Sequence, residues 1–147
     1  MPDKQSFSIK EGTIETVVAL SQQIPEFINP HGAATYRERL SKVPHLILVA
    51  FVAEEAVGFK VGYEREGYFY SWMGGVLPAY RQLGVAQKLA DAQENWARNK
   101  GYPSITFKTR NRHKAMLLFA LKNGFDIIGV EVRDIPAEHR ILLQKKL

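Results

Sequence analysis

The lengths of the links between extended segments constrain this chain most. Leu46–Ala53 is almost wholly apolar and rich in β-branched residues, and only Glu54-Glu55-Ala56 separates it from a second extended run, Val57-Gly-Phe-Lys-Val-Gly-Tyr-Glu64. So short a link closes a hairpin, which makes the two strands antiparallel. A third run, Tyr68–Val76, follows Gly67. The next link is of another kind. From Val85 the apolar positions Val85, Leu89, Ala92 and Trp96 mark one face of a long helix that stops at Gly101, and Ser104–Thr109 then alternates as a strand. Antiparallel hairpins followed by strand–helix–strand steps predict a mixed sheet with helices on its faces.

The flanking segments complete the order. Ser6–Lys10 alternates apolar and polar residues as a short strand. A helix follows from Thr13, with Ile14, Val17, Val18 and Ser21 on one face, and ends near Gln23 because Pro25 disfavours helical backbone at Ile24. The loop Ile24–Gly32 leads to a short helix over Ala33–Leu40, where Thr35 and Glu38 have capping-box spacing. Ala115–Lys122 is helical and stops at Asn123-Gly124, Phe125–Arg133 is β-rich, and Ile141–Leu147 reads as a last edge strand. With 147 residues, no repeat and no linker, the chain is expected to be one domain over 1–147.

Several function classes drop out. There is no cysteine, which removes disulfides, thiolate metal sites and a cysteine nucleophile together. His31, His45, His113 and His139 lack ligand spacing, so no metal is expected. Neither Gly-x-Gly-x-x-Gly, nor Gly-x4-Gly-Lys-Ser/Thr, nor Gly-x-Ser-x-Gly occurs. The start Met1–Ser6 has no signal-peptide pattern and no apolar run is long enough to span a bilayer, so a cytoplasmic protein away from membranes is expected. The net charge of +5 favours a polyanionic partner, either a phosphorylated cofactor or nucleic acid.

A phosphate site is suggested at the turn from the third run into the long helix, Val76-x-Pro78-x-Tyr80-Arg81-Gln82-Leu83-Gly84-Val85-Ala86. A helix N-terminus directly after a strand presents unpaired N–H groups and the positive end of the helix dipole, and Gly84 and Ala86 let a pyrophosphate approach. This stretch resembles the acyl-CoA-binding motif of the GNAT superfamily of N-acetyltransferases, Arg/Gln-x-x-Gly-x-Gly/Ala. Asn111, Ala115, Leu118 and Lys122-Asn-Gly124-Phe125 are similar to that family's second motif. The resemblance covers the whole element order and implies an α/β (α+β) fold, a GNAT-like mixed and largely antiparallel sheet of about seven strands flanked by four helices.

It also implies an enzyme that moves an acetyl group from acetyl-CoA to a primary amine of a small molecule or peptide by direct attack in a ternary complex, without metal. In such proteins a bulge parts the fourth strand from the fifth, pantetheine enters the gap, and strand backbone polarises the thioester. Gly74-Gly75-Val76 is the expected bulge and oxyanion donor, because glycine within a strand marks a bulge or close approach. Cofactor contacts are expected from Gly75, Val76, Arg81, Gln82, Leu83, Gly84, Val85, Ala86, Asn111 and Arg112. Arg112 belongs to the basic alternation Lys108, Arg110, Arg112, Lys114, which suits the 3'-phosphate of CoA or a nucleic-acid backbone.

Many members carry a tyrosine four residues before the glycine of Gly-Phe to protonate the leaving thiolate; here that place is Ala120, and either Asn111 or His113 holds the family's asparagine place. As general base, Glu26 is bracketed by Pro25 and Phe27 in the loop expected to line the acceptor pocket, an environment that would raise its pKa. Ser71, with Glu64 and Tyr70, is proposed by strand position alone. The alternatives are a non-catalytic acyl-CoA-binding module, for which Ala120 speaks, and a basic nucleic-acid-binding domain, the less favoured partner. A homodimer through the edge of 141–147 is a further expectation.

Overall fold

The computed structural model describes residues 6–147; Met1–Gln5, most of the segment that lacks a signal-peptide pattern, lie outside them. Strands β1 (Phe7–Glu11), β2 (His45–Val52), β3 (Glu55–Arg65), β4 (Tyr68–Val76), β5 (Ser104–Arg110), β6 (Asp126–Glu131) and β7 (Arg140–Lys146) are interleaved with helices α1 (Ile14–Ser21), α2 (Ala33–Leu40), α3 (Val85–Asn99) and α4 (Lys114–Lys122). The seven strands form one sheet in the order β1-β2-β3-β4-β5-β7-β6. All neighbours are antiparallel except β4 and β5, the pair joined through α3. Among the described residues no helix is long and apolar enough to cross a membrane.

Helices α1 and α2 cover one face of the sheet and α3 and α4 the other. On the α3 face Val85 lies over Gly58, and Phe69 meets Trp96 and Tyr102 at centroid distances of 5.3 and 5.5 Å. On the opposite face Phe59 is buried and packs with Phe27, while Tyr36 of α2 meets Trp72 at 4.9 Å. Of the face read for α3, Val85 and Leu89 are fully covered and Ala92 and Trp96 partly so; Gln93 and Ala97 complete it.

Three expectations are corrected. The segment Ile141–Leu147 is not an edge: β7 lies between β5 and β6 and pairs with both. Its Ile141 and Leu143 are buried with Ala120 and Leu117 of α4, so this strand needs an interior place, and the edges are β1 and β6. Dimerisation through a free edge of β7 is therefore ruled out. Helix α2 begins two residues before Thr35, with Gly32 at its N-cap and no side-chain cap, so Thr35 and Glu38 form no capping box. The register of β4 shifts between Ser71 and Met73, which makes Trp72 the extra residue and places the bulge before Gly74-Gly75-Val76. The ring of Trp72 uses the added residue to reach Tyr36, Tyr63 and His31. Gly75 is small for a different reason: a Cβ there would come within 2.7 Å of Ile24 Cδ1, where the loop after α1 crosses β4.

Phe69, fully buried at the centre of the α3 face, is the side chain whose loss should cost most. Phe69→Ala is expected to lower unfolding free energy by about 3–5 kcal/mol, read from urea denaturation followed by tryptophan fluorescence.

Candidate active site

Strands β4 and β5 pair only at Phe69–Ile105 and Tyr70–Thr106. Beyond those pairs Ser71–Val76 and Phe107–Arg110 diverge, while the far sides of both strands stay bonded, β4 to β3 as far as Val76 and β5 to β7 as far as Arg110. A bulge increases local twist, and the one at Trp72 sits where the separation begins. Two strand edges thus face a gap inside the sheet, and their backbone N–H and C=O groups require a partner there. Ser71, 9% exposed, lies at the apex.

The mouth of the gap is the turn into α3. Gln82 (φ 64°) and Gly84 (φ 88°) both adopt left-handed backbone. For a glutamine that conformation costs roughly 1–2 kcal/mol, and such strain collects where function needs it. Alternation of right- and left-handed residues turns successive N–H groups toward one concavity. Gly84 is the N-cap of α3, offers no side-chain cap, and no acidic residue stands in the first turn, so the first N–H groups of the helix remain available to an anion. A Cβ at Gly84 would meet nothing within 4 Å, so the space beside it is open, although the left-handed backbone there strains any residue that carries a side chain.

Arg81 ties this turn to its surroundings. Its Nε donates to the Val76 carbonyl at 3.0 Å, and its two terminal nitrogens donate to the two Glu26 carboxylate oxygens at 2.8 Å each. One guanidinium thereby joins the α3 turn, the end of β4 and the loop after α1. The raised pKa expected for Glu26 is corrected: the hydrogen-bonded Arg81 holds the carboxyl below its ordinary 4.5, outweighing desolvation, and the Arg81 pKa rises in return. Proline and hydrophobic neighbours suggested burial, but the side chain stays 48% exposed and its partner lies 55 residues away in sequence.

Beside this strut lies a cleft of about 290 Å³ between the 26–31 loop and the sheet, lined among others by Glu26, Phe27, His31, Met73, Arg110 and Arg112. Arg112 belongs to this cleft and is paired with Glu138 at 2.6 Å, with Arg110 on the same carboxylate at 3.7 Å. Asn111 is occupied in the turn, donating to the Pro136 carbonyl and accepting from Lys114. His113 is the N-cap residue of α4. Burial, aided by the Arg112 charge, lowers its pKa from 6.5 and keeps the imidazole neutral at pH 7, and its charge interacts with that of Glu26. Ala120 is 2% exposed and faces Ile141 and Leu143, so this position points into the core.

Glu64 accepts a hydrogen bond from Tyr102 at 3.0 Å, and Tyr70 packs edge-on against Tyr63. In the sequence His113 stands as one of two residues for the family's asparagine place and not as a base; its place before a helix is the signal available for more. Lys60 was also missed. Its stem lies against Gly74 of β4, and burial pushes its ammonium down to about 8, which an isolated strand lysine does not signal.

The sequence profile of the Acetyltransferase (GNAT) family matches residues 15–125. Solved structures share the fold at low identity. The ribosomal-protein-S18-alanine N-acetyltransferase of Escherichia coli superposes with a TM-score of 0.85 at 14% identity, covering 96% of this chain and 94% of that one. Ard1 from Thermoplasma volcanium gives 0.79 at 18% identity over 96% and 97%. The PaiA N-acetyltransferase of Thermoplasma acidophilum, in complex with coenzyme A, gives 0.75 at 16% over 97% and 99%. No curated protein matches the sequence.

The Glu26–Arg81 pair makes a direct prediction. In an NMR titration the Glu26 carboxyl should titrate below 4.5 and return to the ordinary range in Arg81→Met. Because the folded-state pKa is the lowered one, the pair's stabilisation is present above the unfolded value and disappears as pH falls through the folded value.

Proposed function

Because the chain belongs to the acetyltransferase (GNAT) family of acyl-CoA-dependent transferases, we propose that it transfers an acetyl group from acetyl-CoA directly to an amine held in the cleft beside the 26–31 loop. The observation that carries this reading is the gap between β4 and β5, with the uncapped start of α3 at its mouth. The neighbour crystallised with coenzyme A supports the cosubstrate, and the neighbour named for a ribosomal-protein alanine supports an amine acceptor.

The residues fit the group. The N–H groups from Gln82 to Ala86 suit a pyrophosphate, with Leu83 and Val85 flanking Gly84, and the unpaired edges of β4 and β5 suit an extended chain carrying amides. Bound there, acetyl-CoA supplies a thioester carbonyl open to attack by an amine and a thiol whose class titrates near ~8.5, acidic enough to leave without a side-chain acid. Backbone of β4 from Trp72 through Gly75 to Val76 orients and polarises that carbonyl. Glu26, kept ionised by Arg81, draws the acceptor ammonium to the rim, and neutral His113 accepts the proton released on attack. Ser71 closes the inner end of the gap. Arg110 and Arg112 bind on the acceptor side, and the small cleft suits a single amine-bearing residue or a compact amine.

Thiol release measured against a panel of small amines and peptide N-termini tests the function: release should require an amine, and CoA binding with no release for any amine would contradict it. Gly84→Glu should abolish calorimetric CoA binding with the far-UV spectrum unchanged, since the side chain enters open space beside the α3 turn and the left-handed backbone costs the fold only roughly 1–2 kcal/mol. In kcat/KM the wild type should fall as pH drops through the lowered His113 value, where the imidazole takes up a proton. His113→Ala should lose that limb together with about 100-fold in rate; an unchanged profile would remove His113 from proton transfer.

A further inference from the structure

We propose that the β6 edge joins two copies of this chain into a dimer by antiparallel pairing about Val130. Large exposed aliphatics gather here: Ile127 (52%), Ile128 (52%), Val130 (50%) and Val132 (73%) are all solvent-facing. An edge strand normally protects its unpaired N–H and C=O groups with charge, proline or brevity. The other edge, β1, is five residues long and carries Lys10 and Glu11. β6, six residues long, reads Asp-Ile-Ile-Gly-Val-Glu, with its two charges at the ends and only apolar residues and glycine at its centre.

The pairing with β7 shows which residues share a face. Ile127 stands opposite Leu143 and Val130 opposite Ile141, on the α4 side; Asp126, Gly129 and Glu131 stand opposite Gln144, Leu142 and Arg140 on the other, and the register shift leaves Ile128 as the extra residue. Beyond the strand the alternation carries Val132 to the apolar face and Arg133 to the polar one. This pattern is self-complementary. With Val130 on a two-fold axis, Val132 meets Ile127 of the partner subunit, Glu131 meets Gly129 of the partner subunit, and Arg133 meets Asp126 of the partner subunit. One face becomes a continuous aliphatic stripe across two chains, and the other carries the Arg133–Asp126 pair twice. Within its own chain Asp126 has no ion pair among the described residues, and the guanidinium of Arg133 pairs with Glu131 at 3.4 Å and donates to the Val132 carbonyl at 3.2 Å. This charge complementarity favours a second copy over an unrelated strand.

Sedimentation of the full chain over a micromolar to submillimolar series should show a species of twice 16.7 kDa. Val130→Lys puts two ammonium groups on the axis and should yield monomer, with circular dichroism confirming the fold. Asp126→Arg should weaken the dimer roughly fivefold by replacing two exposed ion pairs with repulsion, and the double variant Asp126→Arg, Arg133→Asp should restore it. The chain has no cysteine, so Val130→Cys creates a single thiol. It should form a disulfide-linked dimer far faster than Glu54→Cys, because directly opposed strand residues lie within bridging distance. A monomer at every concentration overturns the proposal, whether or not the edge takes another protein. So does a dimer that survives Val130→Lys, or a Val130→Cys thiol that links no faster than the one at position 54.

Discussion

The parting of β4 from β5 is the constraint on which the rest of the molecule depends. A parallel pair satisfies the backbone groups of both strands when it runs their full length, but here the ladder stops after two residue pairs and leaves two polar edges inside the sheet. The separation is stable because each strand is held from its other side, β4 by β3 and β5 by β7. β7 must therefore be interior, and the exposed edge passes to β6. The gap that suits the cosubstrate and the surface proposed to join two copies thus have one topological origin.

Much of this was legible in the sequence where local chemistry decides. The short link after the first hairpin strand, which the structure narrows to Ala53-Glu54, the 3.6-residue spacing through α3 and the glycine stop at Gly101 each specify their elements, and the Arg81 to Ala86 turn opens α3. What escaped was set by partners distant in sequence. Glu26 looked buried by its neighbours, yet Arg81 sets its ionisation. The bulge was placed at the glycines, whereas Trp72 takes it because three rings from other segments await its indole. β7 and β6 are both short β-prone segments, and only the burial of Ile141 and Leu143 under α4 decides which one lies inside.

Arg81 gives the site its coupling. A bidentate carboxylate pair fixes a guanidinium in plane as well as in position, and the third bond from Nε to Val76 fixes it against the strand. The turn proposed to hold the pyrophosphate, the strand proposed to orient the thioester and the loop proposed to border the acceptor are thereby referred to one another through a single side chain. The exposure of the pair limits what it adds to stability. Its effect is on geometry, since reacting groups must be held within a fraction of an ångström for direct transfer.

The central claim is that the split in the sheet is where the cosubstrate lies. Amide resonances followed while coenzyme A is titrated into the isotope-labelled chain test this most directly. The account predicts that shifts concentrate in the α3 turn from Gln82 to Gln87 and along the facing edges Ser71–Val76 and Phe107–Arg110, with the far edge β1 unmoved. Shifts confined to the basic surface around Lys108 and Lys114, with the α3 turn and the β4 edge unchanged, would contradict it.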